Sequence, residues 1–103
     1  MKIKKASICG TLESSDVLVT VCPNEGNGIA IEMDSVVQTI FGDAILKTVK
    51  AVLNEFDIKD AQVRLVDKGA LDCVIRARMQ GAILRAAEET YDWAKEDEVW
   101  KTV

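Results

Sequence analysis

The chain has 103 residues, of which 49% are hydrophobic and 29% charged, and its net charge at neutral pH is -4. A chain of this length buries about 65% of its unfolded surface, which suffices for one hydrophobic core but not for two. The acidic balance and the lack of a basic run argue against a nucleic-acid partner, and no apolar stretch is long enough to cross a membrane.

The sequence contains three cysteines and no histidine. Cys9, Cys22 and Cys73 each lie in an apolar run without a C-x-x-C pairing, so we predict reduced core thiols and a cytoplasmic location. Without histidine or a thiol pair, the chain lacks the commonest zinc ligands and the commonest general base. We therefore expect neither a metal site nor a catalytic residue.

Three strands are predicted in the first third of the chain. The first covers residues 5–12 and the second residues 17–22, a run rich in β-branched side chains, with the turn sequence ESSD between them. Turn-forming residues fill positions 23–28. Alternating apolar and polar side chains over residues 29–34 then predict a third strand with one buried face.

Two helices and a fourth strand follow. Ser35 and Gln38 have the spacing of a capping box, which predicts that a long helix begins at Ser35, and Asp57 is expected to end it. Alternation over residues 61–65 predicts the fourth strand, and a second helix is predicted over residues 70–87. The apolar stripe of this second helix is expected to contain Leu71, Val74, Ile75, Met79, Ala82, Ile83 and Ala86.

The order β-β-β-α-β-α predicts an α+β fold. We expect a two-layer sandwich in which a mostly antiparallel sheet of about four strands is covered by two helices. Residues 1–87 are predicted to form a single domain and residues 88–103 an acidic, aromatic C-terminal tail. That tail is either an arm that binds a partner or a segment whose tryptophans fold back on the core.

Two groups of polar residues are candidates for chemistry. Asp67 and Asp72 come nearest to a carboxylate pair, but acidic residues are also typical of a helix start. Ser14 and Ser15 offer hydroxyls that a partner enzyme can modify, although serines in turns usually bond only to nearby backbone amides. Composition and spacing leave both interpretations of the serines open.

Three separated blocks are more specific: residues 10–17 (GTLESSDV), residues 41–45 (FGDAI) and residues 67–78 (DKGALDCVIRAR). In this order they resemble the acyl carrier protein, or gamma subunit, of citrate lyase over about residues 1–87. The resemblance implies a non-catalytic carrier domain whose serine is joined by a phosphodiester to 2′-(5″-phosphoribosyl)-3′-dephospho-CoA. The matching position in this sequence is Ser14.

The resemblance also implies partners and a reaction. The thiol of the arm would hold an acetyl thioester, which the alpha subunit, an acyl transferase, exchanges for citryl. The beta subunit, an acyl lyase, would cleave the citryl thioester to oxaloacetate and restore the acetyl carrier, while a separate prosthetic-group transferase attaches the arm. The carriers of citramalate lyase and malonate decarboxylase are alternatives, as is an unmodified structural adaptor.

Supporting roles are predicted for residues around this serine. Gly10 permits a close backbone approach, and Ser15 or Asp16 orders the loop through local hydrogen bonds. Arg76 and Arg78 either pair with phosphates of the arm or form surface ion pairs on their helix.

Overall fold

The computed structural model describes residues 2–35 and 38–88, without the side chains of residues 38–41. Its elements are β1 (Ser7–Gly10), β2 (Val17–Cys22), β3 (Ile29–Ser35), α1 (Gln38–Glu55), β4 (Ala61–Asp67) and α2 (Asp72–Ala86). The predicted order of strands and helices is confirmed. Of the predicted tail, only Glu88 lies within the described residues. Neither helix in the described ranges is both long and apolar enough to cross a bilayer.

The four strands form one sheet in the order β1-β2-β4-β3. Strand β2 runs antiparallel to both β1 and β4, whereas β3 runs parallel to β4. Because a parallel pair needs a long crossover, helix α1 joins β3 to β4 in a βαβ unit. Two of the three strand pairs are antiparallel, which confirms the predicted sheet type.

Both helices lie on one face of the sheet, as expected for a two-layer fold. Helix α2 packs over β1 and β2, and α1 lies beside α2 and contacts β3. Buried residues alternate along β2 and β4, because successive side chains of a strand point to opposite faces. The core contains Val17, Val19, Val21, Ala61, Val63 and Leu65 from the sheet, and Ile45, Val49, Val52, Leu53, Ile75, Met79, Ala82 and Ile83 from the helices.

The two outer strands differ from their predictions. Strand β1 covers four residues instead of the predicted eight. It ends at Gly10, where the φ of 102° departs from extended geometry. Strand β3 is only partly buried: Ile29 is exposed, and Ile31 and Met33 are half-buried. As the edge strand beside α1, it lacks the full cover that the predicted buried face requires.

Ser35 is the last residue of β3. Its hydroxyl donates a hydrogen bond to Oδ2 of Asp67, 2.7 Å away. The described helix begins at Gln38, and residues 36 and 37 of the predicted capping box lie outside the described residues. At the other end, Asp57 has a φ of 52° and terminates α1 as predicted.

Helix α2 begins at Asp72, two residues later than predicted. Leu71 is extended, with φ of -70° and ψ of 157°, and its side chain is 70% exposed. Its predicted place in the apolar stripe is therefore wrong, because the residue precedes the first helical turn. Val74 is half-buried, and the other predicted members of the stripe are buried.

The three cysteines are free thiols but are less buried than predicted. Cys9 and Cys22 are partly buried on the sheet, and Cys73 is exposed on the first turn of α2. The prediction that Cys73 is a core residue is wrong, because α2 turns that position toward solvent.

Candidate functional site

Ser14 lies in the loop of residues 11–16, which joins β1 to β2. This loop is at the end of the sheet where β3 and β4 also finish, because Val17 and Ser35 are both paired with Asp67. The segment between β4 and α2 leaves the sheet at the same end. We call the loop of residues 11–16 together with residues 68–71 the Ser14 end of the molecule.

Ser14 and Ser15 occupy the central positions of a tight turn. The amide of Asp16 donates a hydrogen bond to the carbonyl oxygen of Glu13 at 3.2 Å, which closes the turn. Ser15 has a φ of 64°. Ser14 is exposed, and its hydroxyl has no hydrogen-bond partner among residues 2–35 and 38–88. The turn therefore presents a free hydroxyl to solvent.

The backbone of the turn is attached to the segment that follows β4. The amide of Ser15 donates to the carbonyl oxygen of Lys68, and the amide of Lys68 donates to the carbonyl oxygen of Asp16, both at 2.9 Å. These two bonds extend the antiparallel ladder of β2 and β4 beyond the pair Val17 and Asp67. The loop is thus exposed but held in place.

The carboxylate of Asp16 orders the loop. Its Oδ2 accepts the hydroxyl of Thr11 at 2.7 Å, and its Oδ1 accepts the amide of Val17 at 2.8 Å. Arg78 of α2 donates from Nε to Oδ1 at 3.1 Å and from Nη2 to Oδ2 at 3.2 Å. The predicted role of Asp16 is confirmed, and Ser15 contributes through its backbone amide.

The charges of Asp16 and Arg78 stabilise each other. The hydrogen bond from Arg78 is the main cause that lowers the pKa of Asp16 from 3.8 to about 2, followed by the bonds from Thr11 and from the amide of Val17. The hydrogen bond to Asp16 in turn raises the pKa of Arg78. At neutral pH the contact is therefore an ion pair with two hydrogen bonds.

Gly10 allows the loop to pack tightly, as predicted. A Cβ atom at this position would lie 1.8 Å from the carbonyl oxygen of Val17 and 3.3 Å from Cδ of Arg78. The first distance is far inside van der Waals contact, and the φ of 102° is unfavourable for other residues. The backbone of β1 can therefore approach β2 this closely only with glycine.

Neither arginine that was a candidate phosphate ligand is free. Arg78 binds Asp16, and Arg76 forms an ion pair with Glu55 of α1. Both arginines therefore form ion pairs within the protein, as the second of the two predicted alternatives stated. Lys68 was not predicted; it is exposed and forms no ion pair with the residues that the structure describes. Its proximity to Ser14 depends on the pairing of β2 with β4, which no local sequence pattern indicates.

Asp67 and Asp72 do not form a pair of free carboxylates. Asp67 is 1% exposed and accepts hydrogen bonds from the hydroxyl of Ser35 and, at 2.9 Å, from the amide of Ala70. Asp72 lies in the first turn of α2 and accepts a hydrogen bond from Thr48. Both carboxylates therefore have structural hydrogen bonds, and Asp67 joins the end of β3 to the segment before α2.

Comparison with known proteins places the chain in a family. The family model described as "ACP: Malonate decarboxylase delta subunit (MdcD)" matches residues 4–86. The citrate lyase acyl carrier protein of Streptococcus equi subsp. equi is 46% identical over 101 residues, which cover 97% of this chain and 98% of the relative. The chain belongs to the citrate lyase acyl carrier protein family. The member from Klebsiella pneumoniae subsp. pneumoniae is 49% identical over 90 residues, covering 87% of this chain and 93% of the relative.

A solved structure has the same fold as this citrate lyase acyl carrier protein family member. A chain of the Pseudomonas malonate decarboxylase hetero-tetramer in complex with malonate aligns with a TM-score of 0.73, covering 82% of this chain and 86% of that chain. The two chains are 15% identical in sequence, so the likeness concerns the fold alone. It confirms the predicted α+β class, and the relatives confirm the predicted family.

Proposed function

We propose that this chain is the acyl carrier subunit of a citrate lyase and that its prosthetic group is attached to Ser14. The observation that carries this proposal is the exposed hydroxyl of Ser14 in a turn whose backbone is hydrogen bonded to residues after β4. Membership of the citrate lyase acyl carrier protein family supports it. The resemblance of residues 10–17 to the family motif selects Ser14 over Ser15.

The surroundings of Ser14 fit a phosphodiester-linked group. Because its hydroxyl has no partner among the described residues, esterification breaks no hydrogen bond with them. The side chain is exposed, so a large group extends into solvent without displacing core residues. The bonds of Ser15 and Asp16 to Lys68 keep the attachment point in place.

The proposed group is 2′-(5″-phosphoribosyl)-3′-dephospho-CoA, whose thiol holds the acyl group as a thioester. The chain itself anchors this arm, and the ion pair of Asp16 with Arg78 fixes the loop at its base. Attachment to one docked subunit gives a high effective concentration at each active site within reach. In this role the chain is a non-catalytic carrier.

The proposed partners are an alpha subunit that transfers the acyl group, a beta subunit that cleaves citryl thioester to oxaloacetate, and the transferase that attaches the arm. The net reaction of such a complex converts citrate to oxaloacetate and acetate. We retain the prediction of a cytoplasmic location, with which the free thiols are consistent. Carriers of citramalate lyase or malonate decarboxylase stay alternatives, because partner subunits select the substrate. The 15% identity to the Pseudomonas chain does not favour the latter.

Two variants test the attachment site. In the native host, we expect Ser14→Ala to lack the arm and to abolish citrate cleavage by the complex. Ser15→Gly is the matched control, since it removes the neighbouring hydroxyl and suits a φ of 64°; it should retain both properties. A Ser14→Ala chain that still carries the arm would contradict the proposed site. An active complex with an unmodified chain would support the adaptor alternative.

A further inference from the structure

We propose that the Ser14 end is the docking face for the transferase that attaches the arm, with Leu12 and Leu71 as its apolar contacts and Lys68 as its contact to the phosphates of the donor. This inference rests on the proposed modification of Ser14. The enzyme that modifies Ser14 must bring its active site to bonding distance of the hydroxyl. It must therefore cover the residues next to Ser14, whereas the lyase subunits need to reach only the distal thiol.

The Ser14 end carries two exposed large aliphatic side chains. Leu12 is 57% exposed and lies two residues before Ser14, and Leu71 is 70% exposed in the segment after Lys68. Burial of each such side chain by a partner would contribute about 1.5–3 kcal/mol. Within the described ranges, the other exposed large hydrophobic side chains are Ile8 on β1 and Ile29 at the opposite end of the sheet.

An apolar recess adjoins Leu71. It lies between α1 and the segment before α2, has a volume of about 340 Å³, and is lined by Ala44, Ile45, Ala70, Leu71 and Ile75, among others. A cavity of about 150 Å³ is large enough for a benzene ring, so this recess has room for an aromatic or aliphatic side chain of a partner. Interface hot spots commonly consist of one anchor residue in such a pocket.

The positive charge of Lys68 supports the transferase as the protein that binds the Ser14 end. Its donor must be an activated form of the arm, in which the phosphate to be joined to serine is part of a phosphoric anhydride and carries several negative charges. Lys68 is exposed, forms no ion pair with the described residues, and is hydrogen bonded through its backbone to Ser15 and Asp16. Its ammonium group is therefore the contact that we assign to the phosphates of the donor.

The step at this face is a substitution at phosphorus. Oγ of Ser14 forms the new O–P bond, the anhydride O–P bond of the donor breaks, and the remaining phosphate or polyphosphate leaves with the electron pair of that bond. The hydroxyl proton passes to a base of the transferase. The carrier contributes the nucleophilic oxygen and the surface that aligns it.

Arm transfer to the full-length unmodified chain, measured by intact mass with purified transferase and activated donor, tests the proposal. We expect Leu12→Ser and Leu71→Ser each to raise the KM for the carrier about tenfold, which corresponds to a loss of about 1.4 kcal/mol. Ile29→Ser, at the far end of the sheet, should leave that KM unchanged. Lys68→Met should raise the KM for the donor at least threefold, with Lys59→Met as its control.

The outcomes separate this proposal from the function on which it rests. If the wild-type chain takes no arm, the proposed function fails; if wild type and both leucine variants take it with equal KM, only the docking face fails. Fully loaded Leu71→Ser should support citrate cleavage at the wild-type rate. If Leu71→Ser takes the arm normally but cleaves citrate more slowly than wild type, the face binds the lyase subunits and the proposal is overturned.

Discussion

Arg78 of helix α2 binds both carboxylate oxygens of Asp16, which lies 62 residues earlier in the chain. The side chain of Asp16 is 14% exposed and that of Arg78 is 39% exposed, so the ion pair is largely shielded on its acidic side. The same carboxylate accepts the hydroxyl of Thr11 at the start of the loop. The negative charge of Asp16 therefore links the loop that carries Ser14 to the second helix.

We expect the contribution of Asp16 to stability to depend on pH. Its pKa is depressed in the folded chain, so the contribution is present above the unfolded value of 3.8 and is lost as the pH falls through the folded value of about 2. The difference in free energy of unfolding between wild type and Asp16→Asn should therefore shrink between about pH 5 and pH 2. Urea unfolding at several pH values measures this difference.

Asp43→Asn controls for the loss of one negative charge, because Asp43 is exposed on the outer face of α1. The difference in free energy of unfolding between wild type and Asp43→Asn should show no comparable decrease over the same pH range. A gap between wild type and Asp16→Asn that stays constant down to pH 2 would show that the charge of Asp16 does not hold the loop.

Gly10→Ala should destabilise the fold by at least about 2 kcal/mol, since it combines an overpacked contact with a left-handed backbone. The added Cβ would meet the carbonyl oxygen of Val17. Gly26→Ala is the control: its φ is 78°, but no atom lies within 4 Å of the added Cβ. We expect it to cost only about 1 kcal/mol. Equal losses in urea unfolding would mean that the close approach at Gly10 is unimportant.

Asp67→Ala should lower the free energy of unfolding by about 2 kcal/mol, because it removes the acceptor of two hydrogen bonds in a buried position. The donors are the hydroxyl of Ser35 and the amide of Ala70. Asp60→Ala provides a comparison, as Asp60 accepts one bond from the amide of Gly28 and is partly exposed. Its loss should be smaller; the reverse order would contradict the structural role of Asp67.

Arg76→Ala should leave arm attachment unchanged, because Arg76 is paired with Glu55 and not with the loop. Its effect on stability should stay below about 1 kcal/mol, as is usual for an exposed ion pair. Intact mass gives the modified fraction, and urea unfolding gives the stability. A strong loss of attachment in a folded Arg76→Ala chain would restore its predicted phosphate role.

Local sequence patterns predict most of the fold. Strand β2 matches its prediction because a β-branched run alternates cleanly between the core and the other face. The prediction for the second helix is right at the buried positions but wrong at Leu71. Periodicity alone does not indicate that the chain is still extended at this residue. The partial exposure of β3 was likewise beyond local patterns, because burial depends on which element covers the strand.

For the candidate site, too, local sequence predicts one part, and contacts between distant residues determine the rest. The residues of the loop predict the turn, and the family resemblance predicts Ser14 as the attachment site. The contacts that hold the turn come from Lys68 and Arg78, which only the pairing of β2 with β4 and the packing of α2 bring to the loop. The two basic residues differ in their pairing. Arg78 is bound to Asp16, whereas the ammonium group of Lys68 forms no ion pair within the described ranges.

Peptide mapping by mass spectrometry of the chain isolated from an active complex of its native host tests the central claim most directly. We expect the peptide that contains residues 10–17 to carry the mass of phosphoribosyl dephospho-CoA, with fragmentation placing it on Ser14. An active complex in which this peptide is unmodified, or in which the adduct lies on Ser15 or another residue, would contradict the assignment of Ser14 as the attachment site.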